Sequence, residues 1–317
     1  MTQSGPVLAI GESLIDLIAT DGGSLGDASS LAIREGGAPM NVAVGLARMG
    51  TASAFCGVVG DDPFGERLRS LLAANDVDVT HLHTTDDAET SVAYAWRDDR
   101  GDGHFRLLRQ ADCRLSATFT RAAVMDLRPS AIVVGSVSTA TPISKLGVFA
   151  AIDTSVEWNI PVVVDLNIRI SQWKSVDRLR RVLPGLLRQA TLIKLSVDDA
   201  REAWGLTDPV AIRRHIGRWN RGSMVITDGS RGVVVFQAGS EVPVRYPVFP
   251  VEAIEPTGAG DAFLAGLITR LVSSGWASLT DDDIRFAMAA GAITTTKPGA
   301  LTALPTRDEI ETFLRAV

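Results

Sequence analysis

The chain has 317 residues, of which 46% are hydrophobic and 21% charged, and its 37 acidic and 31 basic residues leave a net charge of −6. That balance excludes a global basic field of the kind that gathers nucleic acid or anionic lipid. Two cysteines, Cys56 and Cys113, without a CxxC spacing argue against a disulfide framework or a thiolate metal site and for a reducing, cytoplasmic setting.

The first element is the apolar run "VLAIG" (7–11), read as a short strand and broken by Gly11, Glu12 and Ser13. No basic n-region precedes it, and no stretch reaches the roughly 20 apolar residues that span a bilayer. Residues 12–35 are alternating or turn-rich, with no good helix. "EGGAPMNVAVGLARMG" (35–50) then combines a Gly-Gly bend, Pro39 near a helix start and Asn41 in the first turn. Gly36 and Gly37 would let a ligand approach the backbone, and Asn41 offers a polyol both a donor and an acceptor. An ordinary helix cap accounts for the same residues.

A strand is expected at 52–60 and a helix at 65–75, with Leu68, Leu71 and Leu72 on one stripe. His81 and His83 alternate but have no third partner for a metal, and are expected at the surface. Residues 88–112 read as a hairpin around a "DDRGDG" turn. The excursions at 12–35 and 88–112 are expected to pair into a small β-sheet lid. Further apolar runs at 131–136, 161–167, 191–196 and 223–229 lack polar alternation, as do strands buried on both faces of a parallel sheet. A helix with Leu179, Val182, Leu183, Leu186 and Leu187 on one face lies among them. The fold class is therefore α/β: one domain, 1–317, built on a doubly wound, mostly parallel sheet flanked by helices.

In such sheets ligands sit at the carboxyl ends of the strands, where Asp165, Asn167, Arg169, Ser196, Asp199, Thr227 and Gly229 fall. The last informative stretch is "EPTGAGDAF" (255–263). Pro256 is expected to break a preceding strand, and Gly258 and Gly260 permit backbone angles closed to other residues, so the amides of Gly258, Ala259 and Gly260 can converge at a helix start as an anion hole. Asp261 at the same helix end can take a proton from a hydroxyl attacking a bound phosphate, which is phosphoryl transfer to an alcohol. A tight turn with Asp as helix cap is the plainer explanation, and spacing alone leaves both open. GxxxxGK[ST], a strand-linked GxGxxG and GxSxG are all absent.

Taken together, these stretches give the sequence its resemblance to the ribokinase-like (PfkB) carbohydrate kinases, over nearly its whole length. "GGAPMNVAVGLARMG" is similar to that family's N-terminal motif, "PTGAGDAF" to its C-terminal one, and "GVVGDDPFGERLRSLLAANDVDV" to the segment after the first. The resemblance implies ATP with Mg²⁺, a β lid that closes over the sugar, and dimers through that lid. It makes Asp261 the catalytic base, Gly258, Ala259 and Gly260 the anion hole, and Asp16, Gly36, Gly37 and Asn41 sugar contacts. Lys194, Ser196, Thr227, Gly229 and Gly232 fall to the nucleotide.

Within the family the fructokinases are nearest, since "GESLIDLI", "LLRQADCRL", "IKLSVDDA" and "DLNIRISQW" resemble their segments. Leu107, Leu108 and Arg109 stand where 2-keto-3-deoxygluconate kinases tend to carry tyrosines, which favours a neutral hexose, D-fructose. Arg109 and Arg169 are the expected acceptor-binding cations. An acidic sugar or a riboside is the alternative acceptor, and a silent sugar-binding protein the alternative class. Glu255 replaces the family's usual Asp at a position linked to a monovalent cation, which weakens the expectation of K⁺ activation. The family's N-x-x-E pattern reads here from Ser196 to Asp199, leaving Asp199 a shorter reach to metal-bound water.

Overall fold

The computed structural model of the protein describes residues 5–98 and 103–317. Its large sheet has 10 strands. From one edge the path runs through Val244–Tyr246, Val233–Phe236, Ser223–Thr227, Leu192–Ser196, Val162–Asp165, Ala131–Gly135, Val7–Ile10, Ser53–Gly60 and Val77–Asp78, and Leu82–Thr85 also pairs with Ser53–Gly60. Pairing is parallel from Ser223–Thr227 onward, and among the described residues Val233–Phe236 is the one reversed strand, antiparallel to both Ser223–Thr227 and Val244–Tyr246. The fold class read from the sequence is therefore the one observed.

The absence of polar alternation has a direct cause. Side chains alternate between faces along a strand, and both faces are covered by helices. Val7, Ala9, Val133, Val163 and Val225 point into one core with the helices Ala38–Arg48, Ala259–Ser273 and Asp281–Thr295. Leu8, Ile10, Ile132, Val134, Val164 and Ile193 point into the other, with Ala117–Leu127, Pro142–Glu157 and Val176–Arg188. The six strands read from apolar runs all form, each within two residues of its expected bounds.

A second sheet of four strands stands apart, in the order Leu31–Gly36, Leu14–Ala19, Val92–Arg97, Gly103–Leu108. It is built from the two excursions in the sequence. Residues 99–102 of the expected hairpin turn lie outside the described residues. The root of the hairpin is cross-braced: Ser91 Oγ donates to Asp112 Oδ1 at 2.5 Å and accepts from the Gln110 amide at 2.8 Å. Asp62 caps the helix Pro63–Ala74 through the Gly65 amide and accepts from the Thr90 amide at 2.6 Å, tying that helix to the hairpin.

Two local expectations need correction. His81 is buried at 8% exposure, edge-on to His83, whose ring stacks on Phe119 at 3.8 Å, so this pair is packed rather than at the surface. The reason is the unforeseen strand Leu82–Thr85, which carries His83 against the helix Ala117–Leu127. Nor does a strand lead directly into Pro256: the nearest one ends at Tyr246, and the chain from 247 to 258 is irregular.

Candidate active site

Parallel pairing puts the carboxyl ends of the central strands at one edge, with Asp165 registered against both Gly135 and Lys194, and Ser196 against Thr227. The two glycine-rich helices begin at this edge. In the helix Ala38–Arg48, Gly37 is the N-cap at φ 116°, and a Cβ there would sit 2.5 Å from the Glu12 carbonyl oxygen. A Cβ on Gly36 would sit 2.4 Å from Asp16 Oδ2. The Gly-Gly bend thus lets Asp16 and the strand end at Glu12 close on the start of this helix.

The second helix, Ala259–Ser273, starts from Gly258 in the left-handed region at φ 82°. The amide of Ala259 donates to Pro256 O at 3.2 Å, whereas those of Gly258, Gly260 and Asp261 have no backbone acceptor among the described residues. The open donors at this helix end are therefore Gly258, Gly260 and Asp261; the Ala259 amide, expected to join them, is turned into the preceding bend. Open amides at a helix start, with the helix dipole behind them, attract an anion.

Asn41 and Asp261 meet across 220 residues of sequence: Asn41 Nδ2 donates to Asp261 Oδ2 at 2.7 Å. Asn41 Oδ1 is buried without a partner. Burial raises the Asp261 pKa above the usual carboxylate range, and the Lys194 charge, the Asn41 hydrogen bond and the Arg169 charge pull it back. Lys194 Nζ lies 3.0 Å from both carboxylate oxygens of Asp165, in the interior. Burial lifts Asp165 to about 6 against the pull of Lys194. Lys194 itself stays charged: burial opposes its ammonium, but Asp165, Asp199 and Asp261 outweigh burial and raise its pKa.

Asp16 is raised to about 6 by burial alone. The stability conferred by its protonated form is complete below the ordinary value of 3.8 and is lost as pH rises through about 6. Asp16→Asn is accordingly expected to stabilise the protein by up to about 3 kcal/mol at pH 8, and by much less at pH 4. Thermal melts of both proteins at the two pH values check this; equal melting temperatures at pH 8 would contradict the burial of an ionised Asp16.

Other expected site residues have different surroundings. Arg109, expected on the hairpin as an acceptor ligand, has a side chain only 5% exposed and bound to its own chain: Nε to Asp112 Oδ2 at 2.7 Å and Nη1 to Val137 O at 2.6 Å. Asp112 and the backbone thus hold this guanidinium from within the chain, while its Nη2, paired in charge with Asp112, is buried without a hydrogen-bond partner. Asp199, expected near metal-bound water, accepts from the Ile168 amide at 2.6 Å and from both the amide and hydroxyl of Ser196, as half of a capping box. Its work in this structure is to join the loop after Asp165 to the helix Val197–Trp204. Ser196 is committed to the same box. Gly232 packs its Cα against Tyr246 O of the neighbouring strand. Thr227 and Gly229 stand at the strand end, with nothing within 4 Å of a Cβ built on Gly229. Glu255 accepts from the Gly299 amide at 2.9 Å. Arg169 is exposed, donates to Ile168 O at 2.9 Å, and its charge reaches both Asp261 and Glu202.

The residue that sequence reasoning passed over is Glu12. It is 4% exposed, accepts from Ser138 Oγ at 2.6 Å, and has its pKa raised by burial. With Asp165, Asn167, Pro39 and Ser136 it lines a cavity of about 10 Å³ beneath the strand ends. The signal for it in the sequence is a glutamate two residues beyond the fully buried strand Val7–Ile10, at the break in that apolar run.

Comparison with known proteins gives consistent results. Residues 6–307 match the model of the pfkB family carbohydrate kinases. A fructokinase of Klebsiella pneumoniae is 34% identical over 98% of this chain and 100% of that protein. The crystal structure of a fructokinase from Vibrio cholerae O395, in fructose-, ADP- and calcium-bound form, superposes with a TM-score of 0.83 at 29% identity, covering 98% of this chain and 99% of that one. An aminoimidazole riboside kinase from Salmonella enterica, complexed with aminoimidazole riboside and an ATP analogue, superposes with a TM-score of 0.80 at 26% identity over 98% and 99% of the chains.

Proposed function

Since the chain belongs to the pfkB family of carbohydrate kinases, we propose that it transfers the γ-phosphate of ATP to a hydroxyl of a neutral hexose, D-fructose, with Asp261 as general base. The observation that carries this reading is the 2.7 Å hydrogen bond from Asn41 to Asp261. It joins the two glycine-rich loops into one site, with a carboxylate beside open helix amides.

The step follows from charge and geometry. Asp261 accepts the acceptor hydroxyl's proton as its oxygen attacks phosphorus and the bond to the ADP oxygen breaks. Asn41 holds the carboxylate in place. The open amides of Gly258, Gly260 and Asp261 stabilise the charge spreading over the transferring phosphoryl oxygens. Thr227 and Gly229 border the nucleotide phosphates. Mg²⁺, which suits phosphate oxygens and retained waters, supplies further charge neutralisation when bound with the nucleotide. Among the described residues no cluster of three or more His, Cys, Asp or Glu stands ready to hold a metal. Asp199 and Glu255 remain the carboxylates nearest to the roles expected for a divalent and a monovalent cation, each already accepting backbone hydrogen bonds. In the same reading the small sheet closes over the sugar, and a second copy covers the face opposite Asp16, where Leu31 and Leu108 are exposed.

The choice of a neutral acceptor is supported by the charges around it. Asp16, Glu12 and Asp261 are carboxylates on the acceptor side, Arg109 is neutralised by Asp112, and Arg169 is left as the exposed cation. An acidic sugar would meet more repulsion than attraction. Comparing kcat/KM for fructose, 2-keto-3-deoxygluconate and an aminoimidazole riboside tests this, in the wild type and in Arg169→Ala. Fructose is expected to be preferred, with Arg169→Ala costing about 0.5 to 1.5 kcal/mol in kcat/KM, as for a hydrogen bond to a neutral group. A wild type that prefers the acid, with a loss of about 1.5 to 3 kcal/mol in Arg169→Ala, would overturn the neutral-hexose assignment.

A further inference from the structure

A lysine in the middle of a central strand requires an explanation. The strand Leu192–Ser196 is buried along nearly its whole length, and Lys194 is 6% exposed. A buried ion pair is seldom a net source of stability, because removing two charges from water costs about as much as their attraction returns. Stability alone therefore does not account for this lysine.

Its location points elsewhere. Asp165 takes two of the ammonium's three N–H groups, at 3.0 Å each. On the opposite side, a Cβ built on Gly260 would come within 3.1 Å of Nζ. The ammonium thus lies against the first turn of the helix Ala259–Ser273, beside the residue that precedes Asp261. We propose that Lys194, anchored by Asp165, is a positioning residue for phosphoryl transfer whose ammonium serves as the buried counter-charge of Asp261. Asp165 fixes the ammonium, and the ammonium holds Asp261 as the carboxylate that a general base has to be. The inference rests on the reading of Asp261 as the base.

The charged groups around Asp261 agree with this. Lys194 and Arg169 face it as cations, Asn41 donates to it, and burial opposes its charge. Three carboxylates, Asp165, Asp199 and Asp261, act on Lys194 and keep it protonated. Arg169 is exposed, so its field is weakened by solvent, whereas that of Lys194 is not.

The test is the pH dependence of kcat/KM in Lys194→Met, in the double variant K194M/D165N and in Lys194→Arg, each compared with the wild type. Lys194→Met alone leaves Asp165 buried without a counter-charge; the double variant removes both charges and keeps the experiment open if the single one fails to fold. A carboxylate that loses a cationic neighbour holds its proton to higher pH, so the acid limb should move up by about 1 to 3 pH units in Lys194→Met, and by less in K194M/D165N, where loss of the Asp165 charge that also acts on Asp261 offsets part of it. Lost activity should return as the pH is raised, and Lys194→Arg should keep the limb close to that of the wild type. A folded K194M/D165N with an unmoved acid limb, or with the same fold-loss at every pH, would overturn the inference and leave Lys194 a structural residue. Failure of the underlying reading looks different: Asp261→Asn would then retain its turnover, whatever Lys194 does.

Discussion

Asp261→Asn is expected to lower kcat by about 10² to 10⁴-fold, the usual contribution of a positioned general base. The substitution preserves shape, and the Asn41 amide can still donate to the remaining oxygen, so the helix start should hold. What disappears is the acceptor for the hydroxyl proton. Nucleotide binding should survive, because the open amides belong to the backbone. Equilibrium binding of a non-hydrolysable ATP analogue, measured beside turnover, separates the two effects. Near wild-type turnover in the variant would remove Asp261 from the mechanism. A parallel loss of nucleotide affinity would make it a ligand instead.

The second large effect is expected at Gly258. Its φ of 82° costs any residue with a Cβ about 1 to 2 kcal/mol, and a Cβ there would stand 2.9 Å from the Ala300 Cα. Backbone cannot yield as a side chain can, so Gly258→Ala should turn the loop and carry the amides of Gly258, Gly260 and Asp261 out of convergence. Loss of one such donor typically costs about 10² to 10³-fold in kcat. The fold loses only the strain of one turn, so a cooperative melt at modestly lower temperature is expected beside a severely reduced kcat. A variant with unchanged kcat would show that these amides do not act on the reacting phosphoryl group.

These two positions also mark where the sequence was most legible. A glycine loop opening a helix, followed by a carboxylate, is a local arrangement, and local arrangements are written in consecutive residues. The central strands were legible for the same reason, since a strand covered on both faces has to be apolar throughout. Strands such as Leu82–Thr85 and Val244–Tyr246 were not, because they are short and mostly polar and exist through their neighbours. Side-chain commitments were hidden as well. Arg109 and Asp199 have the right residue types for binding sugar and metal, but the sequence does not show that each is also held within the chain, by Asp112 and Val137 and by Ile168 and Ser196. Such pairings are properties of the folded chain. Lys194 is the intermediate case: a charge inside the apolar run "TLIKLS" was visible, whereas its contacts with Asp165 and Gly260 were not.

The most direct measurement is transfer of labelled γ-phosphate from ATP to fructose in a single turnover, with wild type and Asp261→Asn side by side. The account predicts label in a sugar phosphate with the wild type, one ADP formed for each, and almost none with Asp261→Asn although ATP is bound. Label appearing only as inorganic phosphate, or equal transfer by both proteins, would contradict it.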